Sequence, residues 1–375
     1  MAAGHPLGPP AHEQHWVDLA AQLAAEFALT TAERDRTGEL PVENLRRLNA
    51  SGLDTALLPA EYGGQDLSYR SYGAIVRLLS AACPSTACVW VMHIGAAAGL
   101  VEMSEPDVAR FFAERLAAGA RFANALSEPA GGNLFLQSQQ PAEAVAGGFR
   151  LSGEKRFSSG CEIADHFLVN AKVDGGSTFF GLDADPATMT FEPSWDAMGL
   201  RASGSQLIRF DGTLLPHERR CPPSKRQRPN HIGAGVAALS LGVADGALAA
   251  LREHARARKV LPGGGTVAEQ QWVRFGVGEL ESRLQAAAMF AQHMCWLADE
   301  NSPGFLPATM RAKLLANDVA REIADLGVRV GGGSGYLKTS PIERWFRDAQ
   351  AGWLMAYSAE ICKDVIGSQV LSDDA

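Results

Sequence analysis

Two histidines are the first candidates for acid–base chemistry in this sequence. His231 follows a Pro- and Arg-rich tract, and an imidazole with an ordinary pKa exchanges protons near neutrality. The alternative interpretation is that His231 is only a polar residue at the start of a helix. His93 lies within the apolar run STACVWVMHIGAAAG. It is therefore either a satisfied histidine of the core or of a pocket, or a catalytic group.

The composition excludes several classes of protein. The chain has 375 residues and a net charge of -8, enough length for two or three packed domains. Its negative charge argues against binding to nucleic acid or to anionic membranes. We find no apolar run near the roughly 18 residues that a membrane helix needs, and no signal-peptide layout, so we expect a cytoplasmic protein. Six cysteines without a C-x-x-C pair favour buried reduced thiols over a disulfide or a metal site.

Three parts of the sequence differ in the spacing of their apolar residues, and together they must position these histidines. Residues 12–118 show apolar side chains at helical spacing. From Arg121 onward, short and often alternating runs separated by Gly, Pro, Asp and Ser predict strands. From His231 onward, four long segments with short breaks predict an antiparallel helix bundle. The predicted fold class is α+β, with an N-terminal helical domain (1–120), a central β-domain (121–228) and a C-terminal four-helix bundle (229–375).

The most specific pattern lies between Gly331 and Gly367. It contains G-G-x-G-Y, then E-R, then R-D-A, and it resembles the C-terminal signature of the acyl-CoA dehydrogenase family. The likeness continues upstream, in order, through LPAEYGG, ALSEP, GEKRFSSG and MGLRASGS. This resemblance implies a flavin-dependent oxidoreductase with the acyl-CoA dehydrogenase fold. The matching C-terminal residues are Gly332, Gly333, Gly335, Tyr336, Glu343, Arg344, Arg347, Asp348 and Ala349.

The resemblance also implies which residues hold the cofactor, FAD or, in a monooxygenase, FMN. It places Leu126 and Ser127 at the pyrimidine edge of the flavin. It places Phe157 against the ring and Ser159 near N5. Without the resemblance, Phe157 would be an ordinary strand residue and Ser159 an ordinary turn residue.

A neighbouring subunit holds part of the dinucleotide in this family, which implies a homotetramer or a homodimer. Arg258 matches the arginine that meets the pyrophosphate, and Gln271 matches the glutamine near the adenine. Gly332 and Gly333 match glycines that let the backbone approach the adenosine. The alternative for Arg258 is a solvated helix C-terminus, where positive charge is stabilising.

The family's usual catalytic carboxylate is missing, because counting from the R-D-A motif puts Ala356 at its position. A carboxylate suits the removal of an α-proton, since burial can raise its pKa. His231 is one replacement candidate, because some relatives carry their base in that region. Glu360 is another, predicted one turn past Ala356 on the same helix face, although it better matches a structural glutamate. In monooxygenases of this fold, a histidine on the His93 helix or on the last helix assists the oxygen chemistry, and here Met355 falls near the second of these positions.

The CoA-binding motif F-D-x-x-R is also absent, with Gly233 at the position of its arginine. The basic tract 219–228 could meet a CoA phosphate or an acidic carrier protein, or it could be a solvated linker. Three functions stay open. The chain could oxidise an acyl thioester or a related carrier-tethered substrate, it could be a monooxygenase using reduced flavin and O₂, or it could be a degenerate subunit of a hetero-oligomer. The corresponding partners are an acyl-carrier protein, an electron-transfer flavoprotein or a flavin reductase.

Overall fold

The structure is a computed structural model that describes residues 5–129, 135–222, 229–260 and 262–372. Its first third is helical, as the spacing of apolar residues predicts. The helices are α1 Gln14–Ala28, α2 Thr31–Thr37, α3 Val42–Ala50, α4 Leu53–Ala56, α5 Tyr69–Ala82, α6 Pro84–Met103 and α7 Pro106–Ala117. α6 is buried on nearly all sides, which explains why its sequence is almost entirely apolar.

In the described ranges, seven strands follow and form two sheets. They are β1 Phe122–Ala125, β2 Ala142–Val145, β3 Gly148–Ser158, β4 His166–Val173, β5 Gly176–Asp183, β6 Met189–Glu192 and β7 Gln206–Pro216. One sheet has the order β1-β4-β5, with β1 and β4 parallel, and the other is antiparallel with the order β2-β3-β7-β6. The aromatic rings of Phe167, Phe180 and Phe210 are buried in their shared core. Every run that the sequence predicts as a strand is present, and β2 is the additional one.

The C-terminal part consists of α8 His231–Ala257, α9 Gln271–Asp299, α10 Phe305–Gly335, α11 Pro341–Leu354 and α12 Ala359–Leu371. α8 packs closely against α5, and the contact depends on Gly242. A Cβ at that position would lie 2.3 Å from the Arg77 carbonyl oxygen, so only glycine permits this approach. The α+β fold class predicted from the sequence is confirmed, with helical ends around a β-rich centre.

Two predicted helices are each broken into two. The first breaks at Leu29–Thr30, between α1 and α2. The last breaks at residues 355–358, because the Gly352 carbonyl accepts hydrogen bonds from the buried Lys313 and Asn317 side chains and α11 then ends. Glu360 is therefore not one turn past Ala356 on a continuous helix, and that expectation was wrong.

Two helices are long and apolar enough to cross a membrane by length and composition, which corrects the expectation that no apolar run comes near that length. They are α6 and α8, and 78% of the most apolar window of each is buried inside the protein. Core helices of this kind pass the same test as membrane spans, so the finding by itself does not indicate one. The six cysteines are all buried and free, as the sequence predicts.

Candidate functional site

A cavity of about 520 Å³ lies where α6, the β-sheets and α11 meet. Its wall contains five of the residues singled out from the sequence, namely Leu126, Ser127, Phe157, Ser159 and Ala356. These residues come from three separate motifs, and the fold brings them to one place. A cavity of this size is in the range that holds a small ligand or the ring system of a cofactor.

Two hydrogen bonds join the segment of Ser127 to β3, the strand that contains Phe157. The backbone N–H of Arg156 donates to the Ser127 carbonyl oxygen at 2.9 Å. The Glu128 carboxylate accepts a hydrogen bond from the fully buried Lys155 ammonium at 2.8 Å. Because the charge of Lys155 is paired in this way, its burial is tolerated, and the pair ties the Ser127 segment to β3.

The backbone at Phe157 is strained, and its ring is exposed to the cavity. Its φ is 61°, which non-glycine residues rarely adopt, and 59% of the residue is exposed. The ring meets the edge of Trp195, with centroids 6.4 Å apart, and the Arg156 guanidinium lies over it, 5.4 Å from its centroid. Strained residues of this kind cluster at ligand sites, so Phe157 offers a surface suited to a flat ring system.

Two polar atoms at the cavity have no hydrogen-bond partner among the described residues. They are Asn124 Oδ1, an acceptor, and Arg156 Nε, a donor, and both are buried. Buried polar atoms are nearly always hydrogen-bonded in folded proteins. A ligand that carries both donors and acceptors, such as the flavin pyrimidine ring, fits this part of the wall.

Hydroxyl groups line the wall on the side of Ser159. Ser159 Oγ lies 2.8 Å from Ser205 Oγ, which lies 2.8 Å from Ser203 Oγ. The thiol of Cys88 is 3.9 Å from Ser159 Oγ, and burial raises its pKa to about 12, so it stays protonated. Of these three serines, only Ser159 is predicted from the sequence as a site residue, although the motif MGLRASGS carries the other two.

The R-D-A motif on α11 joins the cavity wall to the other domains. Arg347 pairs with Asp35 of α2 at 2.6 Å and donates to the Met198 carbonyl oxygen at 2.9 Å. Asp348 accepts from the Leu200 backbone N–H at 2.7 Å, and its burial raises its pKa to about 6. From the sequence, Arg347 and Asp348 are only matches to a family motif, whereas in the structure they bind the 198–200 loop to α11.

Among the described residues, the lining of the cavity contains no carboxylate and no imidazole. Its members with polar side-chain atoms are Cys88, Asn124, Ser127, Arg156, Ser159, Trp195, Ser203, Ser205, Arg347 and Gln350. Ala356 lies in the break between α11 and α12 and faces this cavity. The wall can therefore hold and orient a ligand, but the described residues do not supply a general base to it.

His93 occupies a buried ion cluster, not the cavity wall. Its Nδ1 accepts from the Phe122 backbone N–H at 2.9 Å, and its Nε2 lies 3.3 Å from Asp54 Oδ2. Burial lowers the pKa of His93, and Arg121 lowers it further. Both ring nitrogens have partners inside the fold, so the structure places His93 in the ion cluster and not at the cavity, and a catalytic role for it stays a prediction.

His231 also lies outside the cavity wall. Its ring stacks on Tyr69, with centroids 4.7 Å apart, and Tyr72 meets it edge-on. Burial lowers its pKa to about 4, so it is uncharged near neutrality. Glu360 is exposed in the first turn of α12 and does not line the cavity either. Neither residue is positioned as a base in the single chain, which corrects both candidates.

The residues expected to serve a neighbouring subunit are all exposed. Arg258 ends α8, Gln271 begins α9, and Gly332 and Gly333 form a kink near the end of α10. None of the four lines the cavity of its own chain. Gly332 has a φ of 54° and a ψ of −145°, a conformation that glycine adopts readily.

The two described arginines of the basic tract form ion pairs with carboxylates of the same chain. Arg219 pairs with Asp183 and stacks on Phe111, 4.6 Å from the ring centroid. Arg220 pairs with Asp174 at 3.1 Å. The other basic residues of this tract, Lys225, Arg226 and Arg228, lie outside the described residues. The two described arginines thus stabilise the β-domain surface, as is typical of a structural linker.

Known proteins match the chain along most of its length. Family models described as the acyl-CoA dehydrogenase N-terminal, middle and C-terminal domains match residues 10–120, 123–213 and 228–371. The chain belongs to the acyl-CoA dehydrogenase family. The resemblance stated from the sequence and the expectation of a flavin-dependent enzyme with a flavin cofactor are therefore confirmed.

Individual relatives differ in the reactions that their names describe. The chain is 26% identical over 353 residues to a putative acyl-CoA dehydrogenase, YdbM of Bacillus subtilis, covering 91% of this chain and 92% of that protein. It is 31% identical over 393 residues to L-evernosamine nitrososynthase of a Micromonospora species, covering 96% and 90%. The structure of butyryl-CoA dehydrogenase from Megasphaera elsdenii is 24% identical, with a TM-score of 0.89, covering 97% and 99%. That last likeness concerns the fold alone.

Proposed function

We propose that the chain is a flavin-dependent monooxygenase acting on a small, electron-rich substrate such as an amine. The observation that carries this proposal is the chemistry of the cavity wall. Among its described residues there is no carboxylate or imidazole, and the lining includes Ala356, which the sequence resemblance assigns to the position of the family's usual base. Removal of an α-proton from a thioester needs such a base, whereas a nucleophilic substrate supplies its own electron pair for oxygenation.

The described residues fit a bound flavin. Leu126 and Ser127 would meet its pyrimidine edge, Phe157 would pack on the ring, and Ser159 would donate a hydrogen bond to it. A bound flavin supplies two-electron redox chemistry and, when reduced, reactivity toward O₂. The protein's part is to orient both reactants and to keep water away. Met92, Ile232, Leu354 and Met355 add an apolar lining suited to that task.

The relative named as a nitrososynthase supports the choice of an amine. Its sequence identity to this chain is 31%, compared with 26% for the putative acyl-CoA dehydrogenase YdbM. An amine substrate would enter the cavity in its uncharged form or after losing a proton to solvent. Its oxygenation therefore does not need a base from the described wall. FAD or FMN would then come reduced from a flavin reductase.

Dehydrogenation of an acyl thioester is the second candidate, favoured by the relatives named acyl-CoA dehydrogenases. It would need a base from the substrate or from a part of the chain beyond the described wall. An acyl-carrier protein would be the substrate carrier, and an electron-transfer flavoprotein would be the electron acceptor. A degenerate partner subunit, the third candidate, would bind no flavin.

A homo-oligomer, either a homodimer or a homotetramer, is part of the proposal. Trp272 and Phe275 are exposed apolar residues beside Gln271, and Tyr336 is exposed close to the Gly332 kink. Exposed apolar patches next to the predicted dinucleotide residues suit contact with a second copy of the chain. In that arrangement Arg258 would meet the flavin pyrophosphate of the neighbouring protomer. A cytoplasmic location is proposed as well.

Oxygenation is tested directly with ¹⁸O₂. The chain is incubated with a flavin reductase, NADH, FAD or FMN, and a panel of small primary amines. We expect one ¹⁸O atom in the product and the second in water, with two electrons taken from the reduced flavin. Omitting the chain is the control for oxygen chemistry of free flavin. An oxidised product that forms without O₂ and carries no label would contradict monooxygenation and support the dehydrogenase alternative.

A further inference from the structure

Three serines form a continuous chain of hydroxyl groups at the cavity. Ser159, Ser205 and Ser203 are at most 6% exposed, and all three line the wall. Their oxygens follow one another at 2.8 Å and 2.8 Å, the usual separation of hydroxyl–hydroxyl hydrogen bonds. They come from two different segments, β3 with its following turn and the turn before β7, so the contact depends on the fold and not on proximity in sequence.

The burial of Ser203 fixes the direction of these hydrogen bonds. Each hydroxyl has one proton to donate. Ser203 is fully buried, and in the described ranges its hydroxyl is bonded to Ser205 and to no other side chain or backbone group. If Ser159 donated to Ser205 and Ser205 donated to Ser203, the Ser203 proton would have no acceptor among the described residues, which is costly in a buried site. Ser203 therefore donates to Ser205, and Ser205 donates to Ser159.

This direction leaves the Ser159 proton for the cavity. Its other neighbour is the Cys88 thiol at 3.9 Å, and sulfur is a weak acceptor. A nitrogen or oxygen acceptor on a ligand would compete with that sulfur successfully. The neighbours of Ser159 in the wall, Cys88, Ser203 and Ser205, are uncharged. This part of the wall therefore suits a ligand atom that is a neutral hydrogen-bond acceptor and not an anion.

We propose that Ser205 and Ser203 are positioning residues that hold the Ser159 hydroxyl as a hydrogen-bond donor to the bound flavin. The proposal rests on the proposed function, since it needs a flavin in this cavity. Ser203 and Ser205 act only through Ser159. The ligand atom opposite Ser159 is a hydrogen-bond acceptor, as ring nitrogens and carbonyl oxygens of oxidised flavin are.

The test is a binding cycle with oxidised FAD and FMN, followed by flavin absorbance and fluorescence. Ser159→Ala and Ser205→Ala are measured singly and together, with Ser205→Thr as the variant that keeps the hydroxyl. We expect each alanine variant to weaken flavin binding about fivefold, the scale of one hydrogen bond, and to shift the visible spectrum in the same direction. The double variant is expected to bind like Ser159→Ala alone, because coupled residues are not additive. Ser205→Thr is expected to restore the unmodified affinity.

Ser158→Ala is the matched control. Ser158 is a fully buried serine next to Ser159, but it lies outside the hydroxyl chain and the cavity lining. Its replacement is expected to leave the affinity and the spectrum unchanged. Independent, additive effects of Ser159 and Ser205, or unchanged binding by Ser205→Ala, would overturn the inference while leaving the proposed function intact. Failure of the unmodified chain to bind either flavin would overturn both.

Discussion

Replacing Asp54 with Ala is expected to destabilise the protein by about 3–5 kcal/mol, the usual cost of breaking a buried charge network. Asp54 is fully buried and accepts from Trp90 Nε1 at 2.7 Å and from Arg121 Nη1 at 3.0 Å. Its carboxylate also faces His93 Nε2 at 3.3 Å. Without Asp54, the Arg121 guanidinium would lose its ion-pair partner at 3.0 Å, and the Asp165 carboxylate would be the remaining described anion that acts on it.

The same cluster predicts a pH dependence. Burial acts to raise the pKa of Asp54, but His93, Arg121 and Trp90 outweigh it and hold that pKa well below its usual range. A carboxyl with a depressed folded pKa stabilises the protein above its unfolded pKa, about 4, and this contribution is lost as the pH falls below that value. Asp54→Asn should therefore lose more stability at pH 7 than at pH 3.

Urea unfolding of the two Asp54 variants measures both effects. Asp196→Ala is the matched control, since Asp196 is 93% exposed in its side chain and pairs with Arg201 at 3.2 Å. An exposed pair of this kind contributes roughly 0–1 kcal/mol. A change of less than 1 kcal/mol for Asp54→Ala would mean that the cluster does not stabilise the fold.

Ala356→Glu is expected to raise the rate of flavin reduction by saturated acyl-CoAs by about 10²–10⁴-fold over the unmodified chain, the usual contribution of a general base. Ala356 lines the cavity in the break after α11, so a carboxylate there would reach a ligand in the cavity. The measurement is anaerobic bleaching of bound flavin by butyryl- to octanoyl-CoA. Ala356→Gln, equal in size but unable to accept the proton, is the control and should stay as slow as the unmodified protein.

This result depends on acyl-CoAs entering the cavity. Their binding is therefore measured in the same samples by the shift that they cause in the flavin absorbance band. Rapid bleaching by the unmodified chain would contradict the account, because it would require a base outside the described cavity wall. Equal rates for Ala356→Glu and Ala356→Gln, with acyl-CoA bound to both, would show that position 356 does not face the reacting carbon.

Local sequence patterns predicted the helices and strands well where apolar spacing or alternation is clear. Alternation and turn residues identified six of the seven strands, but β2, with the sequence AEAV, is too short and too exposed to show a pattern. The break after α11, residues 355–358, contains no proline or glycine, although Gly352 lies in the last turn of the helix. It arises from two buried donors on α10, Lys313 and Asn317, which are distant in sequence.

The candidate site was predictable where a family motif carried it. Ser127, Phe157 and Ser159 were singled out from separate motifs and meet at one cavity. The histidines were not predictable, because only tertiary contacts reveal that His93 is bound to Asp54 and that His231 is packed between tyrosines. An apolar helix with one histidine looks the same whether its imidazole faces a cavity or an ion cluster.

A titration of the purified chain with FAD and FMN measures whether this cavity binds a flavin. We expect one flavin per chain, a perturbed visible spectrum, and at least tenfold weaker binding in Ala356→Trp, whose indole would fill the cavity beside the ring site. Leu29→Trp is the matched control, because Leu29 is 85% exposed and the added indole lies in water. Stoichiometric binding that Ala356→Trp leaves unchanged would contradict the account, and so would the absence of binding by the unmodified chain.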